Sequence, residues 1–330
     1  MEIKKINWLM VGAFALHIVV SLVLYNSPDM FEIGILLNLS LGEIMLLLPM
    51  VVYLLCWKLG QRKYADEAGE NAEAEKPQTL RERLHYNKVK PTTILYALIF
   101  TWLSMPLTTL INAISMIFVD NTVMALSGQI LGVAFPVMLF FMAVVPAFCE
   151  ETLFRGIVYG GYRKHGNKFV AVMLSGFLFG VMHMNLNQAL YAFAIGVLLA
   201  LLFEATNSIW PTILFHFVYN AQSCCLMYFV EEIVPGFYSN PDNIAMATET
   251  ASLYSMIAAY IIIAAIFTPL AICMLYKIAK NEGRVEQLKE TLPGKKEGKM
   301  RIATASFWVA MVLAVGFIVY DILLSYGIVA

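Results

Sequence analysis

Nine stretches of this 330-residue chain are apolar over about the 20 residues an α-helix needs to cross the hydrocarbon of a bilayer. That constrains the fold more than any other feature. In lipid, every backbone N–H and C=O must find a partner inside the structure, so uninterrupted runs of this length read as helices. The runs fall at 6–25, 33–57, 92–119, 130–159, 169–184, 189–206, 209–230, 253–276 and 302–325. The chain is 60% hydrophobic and only 14% charged, with a mean hydropathy of +0.73. Soluble domains are about 45–50% apolar and about 25% charged. The expectation is an all-α, polytopic transmembrane helical bundle of about nine spans.

Charge placement sets the expected topology. With the N-terminus inside, the cytoplasmic stretches are 1–5, 58–91, 160–168, 207–208 and 277–301. All but one of the 22 Lys and Arg residues fall in them, and the exception, Arg155, lies within a span. Adding or removing a span would split the basic loops between the two faces, against the positive-inside bias. The first apolar run reads as an uncleaved span, because it is long and shows no small-residue cleavage site near its end. A net charge of -1 gives no footprint for nucleic acid. The five cysteines form neither a CxxC knuckle nor a secreted disulfide framework. The acidic stretch 65–76 reads as a solvated or disordered segment. In the loop 277–301, a helix-like piece 284–291 is followed by a Pro293-Gly294 break.

Six polar side chains sit inside the apolar sequence, in three groups with four-residue spacing. They are Glu150-Glu151-x-x-x-Arg155, Phe179-x-x-x-His183 and His216-x-x-x-Asn220. Burying a charged group in lipid costs roughly 2.5–3.5 kcal/mol on insertion scales, so each demands a use. Glu151 and Arg155 are i, i+4 with the acid first, the favourable order for an ion pair. Glu150 points about 100° away from Glu151 and has no local partner. Counted from the flanking basic residues at about 1.5 Å per residue, Glu150 and His183 both lie roughly 20 Å along their helices from the same face. His216 is about 10–13 Å in, with Trp210-Pro211 expected to distort the entry. A carboxylate beside an imidazole can polarise a water. An imidazole and an amide on one helix face, His216 and Asn220, can donate to a developing oxyanion. Together these groups describe amide hydrolysis.

The three motifs, in this order, resemble the signature of the CPBP (Abi) intramembrane proteases, the group that includes the type II CAAX prenyl proteases. The resemblance covers roughly residues 130–230. It implies that Glu150 and His183 activate water and that His216 and Asn220 form the oxyanion site. Glu151, Arg155 and Phe179 would support them. It divides the chain into N-terminal spans (1–125), a protease core (126–232) and C-terminal spans (233–330). Lipid and a membrane-associated protein or peptide substrate are the implied partners, and a bacterial plasma membrane the implied setting. The family has been described both as metalloproteases and as metal-free glutamate-type enzymes. No cofactor is favoured here. If zinc were bound, Glu150, His183 and His216 would form its ligand set, although no HExxH occurs.

Blander readings compete. Glu151 and Arg155 suit a purely structural ion pair, and His216 and Asn220 could be interhelical hydrogen-bond glue. Cys149 reads as a small apolar filler. Glu43, Glu204 and Asp321, the other acids within spans, read as packing or interfacial residues. The rival functions are a proton-coupled transporter, whose spans would carry such groups as a relay, and a catalytically silent scaffold.

Overall fold

A computed structural model of the chain describes residues 2–25, 34–68, 78–294 and 301–328. Among these residues there is no strand. The principal helices are α1 (Glu2–Tyr25), α2 (Ile35–Ala68), α3 (Pro91–Ser115), α4 (Phe135–His165), α5 (Lys168–Val181), α6 (Leu186–Thr206), α7 (Trp210–Ile233), α8 (Thr250–Asn281) and α9 (Ala305–Ser325). All but α5 are long and apolar enough to cross a membrane. The protein is an all-α polytopic bundle. Large apolar side chains such as Val52, Leu55, Ile261, Ile262 and Val312 point outward. This is the arrangement expected where the solvent is lipid.

The helix α5 departs from the expected span at 169–184. It has 14 residues, about 21 Å of helix, and stops at Val181. Met184 then takes a left-handed backbone (φ 55°), and the Asn185 side chain caps α6 by accepting from the Gln188 N–H. His183 therefore sits in the turn after α5 rather than inside a span. Small residues bind this hairpin together. Gly176-x-x-x-Gly180 on α5 faces Gly196 and Ala189 on α6. A Cβ on Gly196 would come 2.8 Å from the Gly176 Cα, and one on Gly180 2.5 Å from the Ala189 carbonyl oxygen. Without side chains between them, the two backbones approach closely, as in other membrane helix pairs.

The helix α3 packs against α6, α7 and α8, while α4 packs against α5 and α7. Its hydroxyl residues Thr101 and Ser104 donate back to the Ala97 and Phe100 carbonyls, so they bring no unpaired donor into the bundle. The helix α1 joins the same core through α2 and α9. The fourth expected span, 130–159, is broken at its start into short helices at Thr122–Ala125 and Ser127–Leu131, with α4 beginning at Phe135. Within α4 two stretches widen to π-helical geometry, Phe140–Val144 and Thr152–Tyr159. Such wide turns are frequent at functional sites. They flank the α-helical piece Val145–Glu151 that carries the two glutamates.

The charged loops gather at one end of the bundle. Glu204, near the end of α6, is bonded by Arg163 (2.9 Å), Lys168 (3.1 Å) and Arg284 (3.3 Å), and by the Tyr159 hydroxyl (3.0 Å). Arg83 and His165 both bond Glu2, at 2.7 and 2.9 Å. Segments from four of the five stretches expected on one face are thus held together. His85 borders this cluster, with Arg163 alongside. Burial first, then the charges of Arg163, Lys164 and Arg83, push its imidazole down from 6.5 to about 3. The acidic stretch 65–76 begins as helix, since α2 runs on to Ala68; residues 69–76 lie outside the described residues. The helix-like piece expected at 284–291 is Val285–Lys289, and Gly294 follows with φ +95°.

Candidate active site

Glu150 and Glu151 share one helix but face different surroundings, because successive residues on a helix are about 100° apart. Glu151 is fully buried. Its Oε1 accepts from Arg155 Nη1 at 2.8 Å and lies 3.0 Å from His216 Nδ1. The expected i, i+4 pair is present, and it also reaches across to α7. Arg155 is held on two further sides. Its Nη2 donates to the Gly196 carbonyl at 3.1 Å, a contact allowed by the close α5–α6 crossing. Its guanidinium carbon stands 4.4 Å from the centre of the Phe179 ring, a geometry attractive to a desolvated cation. Phe179 also packs edge-on against His183 and His216, with ring centres 5.5 and 5.8 Å away. One aromatic ring thus touches a residue from each of the three motifs.

Glu150 turns the other way. It is 7% exposed, and its Oε2 is buried without a hydrogen-bond partner, 3.9 Å from His216 Nε2. It lines a cavity of about 210 Å³ together with His183, His216 and Asn220. The structure therefore collects on one cavity the four residues that the sequence nominates for chemistry. Glu151 and Arg155 lie behind that layer.

The two histidines are held in the same manner. His183 Nδ1 is 3.0 Å from the Phe179 carbonyl and 3.3 Å from that of Gly180. A carbonyl only accepts, so Nδ1 carries the hydrogen and a neutral ring leaves the Nε2 lone pair free. His216 Nδ1 faces the Glu151 carboxylate, which accepts its hydrogen. Its Nε2 points toward Glu150. Asn220 Nδ2 donates to the Met142 carbonyl at 3.0 Å. Met142 lies four residues before Pro146, which has no N–H to return to it. The first wide turn of α4 and this proline thus leave a carbonyl that orients Asn220. The entry of α7 needs no distortion: Pro211 occupies its first turn, where a missing N–H costs nothing.

Imidazoles tied at Nδ1 are also how zinc ligands are commonly held. Yet among the described residues no three His, Cys, Asp or Glu side chains converge closely enough to hold a metal ion. As placed, Glu150, His183 and His216 do not form a ligand set.

Four further polar residues reach the cavity from outside the motifs' own polar positions: Glu43 on α2, Tyr191 on α6, and Tyr219 and Ser223 on α7. Tyr219 could have been found from its spacing, since it lies three residues beyond His216 and shares a helix face with it. Glu43 had one signal, an acid near the middle of a span. Tyr191 had none.

Comparison with known proteins points the same way as the motifs. Residues 132–222 match the family "Type II CAAX prenyl endopeptidase Rce1-like". A curated protein of Bacillus subtilis (strain 168), named "Putative membrane peptidase YdiL", is 33% identical over 87 residues. That match covers 26% of this chain and 36% of the relative. No solved structure gives a significant match. Residues 132–222 are thus similar to type II CAAX prenyl endopeptidases, and the rest of the chain lies outside that match.

Proposed function

We propose that this protein is an intramembrane endopeptidase that hydrolyses a peptide bond of a membrane-associated protein or peptide. In this mechanism a water in the cavity is held between the Glu150 carboxylate and His183 Nε2. Glu150 takes a proton from that water as its oxygen attacks the scissile carbonyl carbon. The carbonyl oxygen becomes an oxyanion, which accepts hydrogen bonds from His216 Nε2–H and the Asn220 amide. Glu151 accepts from His216 Nδ1, and so keeps that ring oriented with Nε2 toward the cavity. Arg155 neutralises Glu151, and Phe179 walls off the pair. The proposed mechanism uses no metal.

The observation that carries this reading is the unpartnered Glu150 oxygen in a cavity shared with His183, His216 and Asn220. A structural carboxylate would have been given a cation or a donor. The test compares the protein fragments of membranes carrying the wild type with those carrying Glu150→Ala. Fragments present only with the wild type are expected, and identical profiles would overturn the proposal. Wild-type cleavage abolished by exhaustive chelation and restored by zinc would replace the metal-free mechanism with a metal-dependent one.

A further inference from the structure

Glu43 is the residue that neither the motifs nor the mechanism above employ. It lies on α2, eight residues from the start at Ile35 and so about 12 Å into the helix. That is too deep for an interfacial position, and the packing explanation also fails. The carboxyl lines the same cavity as Glu150, His183, His216 and Asn220. Its Oε2 is buried and has no hydrogen-bond partner. The Cys149 thiol, next to Glu150 in sequence, is in hydrogen-bond contact with it. Glu43 and Glu150 feel each other's charge.

Among the described residues, no Lys or Arg lines this cavity. The neighbouring guanidinium, Arg155, is committed to Glu151 and the Gly196 carbonyl. Two buried carboxyl groups lining one cavity resist ionising together. Groups that interact in this way titrate as a pair. The other titratable groups lining the cavity are His183, Tyr191 from α6, and His216 and Tyr219 from α7. None of these carries the fixed positive charge that would let both acids ionise.

We propose that Glu43 and Glu150 share one proton and act as an acid–base pair, with Glu43 as the catalytic acid. This rests on the peptidase reading and supplies a step it lacks, the protonation of the leaving group. Ionised Glu150 takes a proton from water as the new C–O bond forms and the carbonyl electrons move onto the oxyanion. When the tetrahedral intermediate collapses, the C–N bond breaks and protonated Glu43 gives its proton to the departing amine nitrogen. The products are a carboxylic acid and an amine. The pair ends with the proton on Glu150 instead of Glu43, and its return across the cavity resets the site. No atom or charge is left over.

The test uses full-length wild type, Glu43→Gln, Glu43→Asp and Glu150→Gln. Each is expressed in the same cells and also purified in detergent. The first readout is new N-termini in the cells' own membrane proteins. The second, which needs no substrate, is the infrared carbonyl stretch of protonated carboxyl groups followed through a pH titration. Termini that require Glu150 should fall about 10²–10⁴-fold in Glu43→Gln, the usual contribution of a general acid. Glu43→Asp, which keeps the proton but shortens its reach, should recover part of that loss. In the titration, replacing either glutamate should change how the other titrates. Full cleavage in Glu43→Gln with none in Glu150→Gln would overturn the acid role and leave the peptidase reading standing. Single-variant titrations equal to the wild type minus one independent carboxyl would overturn the shared proton. Unchanged termini in Glu150→Gln would remove the peptidase reading itself, and the role of Glu43 with it. Thermal unfolding of the purified variants confirms that each one compared is folded.

Discussion

The bundle buries charge in two places, and it treats the two differently. Glu204, 1% exposed, gathers Arg163, Lys168, Arg284 and the Tyr159 hydroxyl. One carboxylate there faces three cations. At the cavity and just behind it, Glu43, Glu150 and Glu151 have one guanidinium near them, Arg155, which bonds Glu151 alone, and each acid keeps one oxygen buried without a hydrogen-bond partner. The first arrangement is what a fold does with a charge it merely has to bury: it surrounds the charge with donors. The second leaves acceptor capacity unfilled where a water or a substrate can enter. Buried polar groups are usually satisfied, so the unsatisfied ones are the informative ones. Burial alone does not separate structural from functional acids. An unfilled second carboxyl oxygen on a residue that lines the cavity does.

The two regions should therefore fail in different ways when disturbed. The largest effect on stability is expected at the satisfied cluster. Glu204→Gln leaves three cations without their shared counter-charge, which costs about 3 kcal/mol. That is the low end for a buried pair, because Lys168 and Arg284 retain some exposure. The melting temperature should fall clearly, while cleavage per folded molecule stays at the wild-type level. Lost cleavage at an unchanged melting temperature would erase the distinction.

Asn220→Ala should show the reverse. Removing one oxyanion donor typically lowers kcat by ~10²–10³, or about 2.7–4 kcal/mol of transition-state stabilisation. Its ground-state role is one hydrogen bond to the Met142 carbonyl, worth only about 1 kcal/mol of stability. Steady-state cleavage and thermal unfolding measured on the same preparation would separate the two effects.

The smallest expected effect is a pH dependence at the structural end. The His85 imidazole sits at about 3 in the folded protein, against 6.5 ordinarily. Below pH 6.5 the unfolded chain binds a proton that the folded chain refuses, so stability should fall as the solution is acidified through 6.5 and toward about 3. Above 6.5 this residue contributes no pH dependence. His85 has a left-handed backbone (φ 58°) that asparagine tolerates, so His85→Asn should flatten the acid limb of melting temperature against pH. An unchanged limb would mean that other groups set it.

Much of this was legible in the sequence. Apolar run length gave the helical bundle, and four-residue spacing put Glu151 beside Arg155 and His216 on one face with Asn220. The rest depended on which helices abut, and no local spacing encodes that. Glu43 lies more than 100 residues before Glu150 in sequence, and only the contact of α2 with α4 brings them together. Glu151 read as the partner of Arg155, but its second contact, to His216, crosses 65 residues. The shortness of α5 was hidden because Met182 and His183 continue its apolar pattern through a turn that only backbone geometry reveals. The wide turns of α4 have no clear sequence signature apart from Pro146.

The central claim is that Glu150 performs chemistry while Glu204 maintains structure. Its most direct test is thermal unfolding and membrane-protein cleavage measured side by side on Glu150→Gln and Glu204→Gln. Glu150→Gln keeps the side chain's shape and loses only the proton acceptor. Glu150→Gln should melt like the wild type and cleave nothing, whereas Glu204→Gln should melt early and cleave normally per folded molecule. Substantial cleavage by a folded Glu150→Gln protein would contradict it.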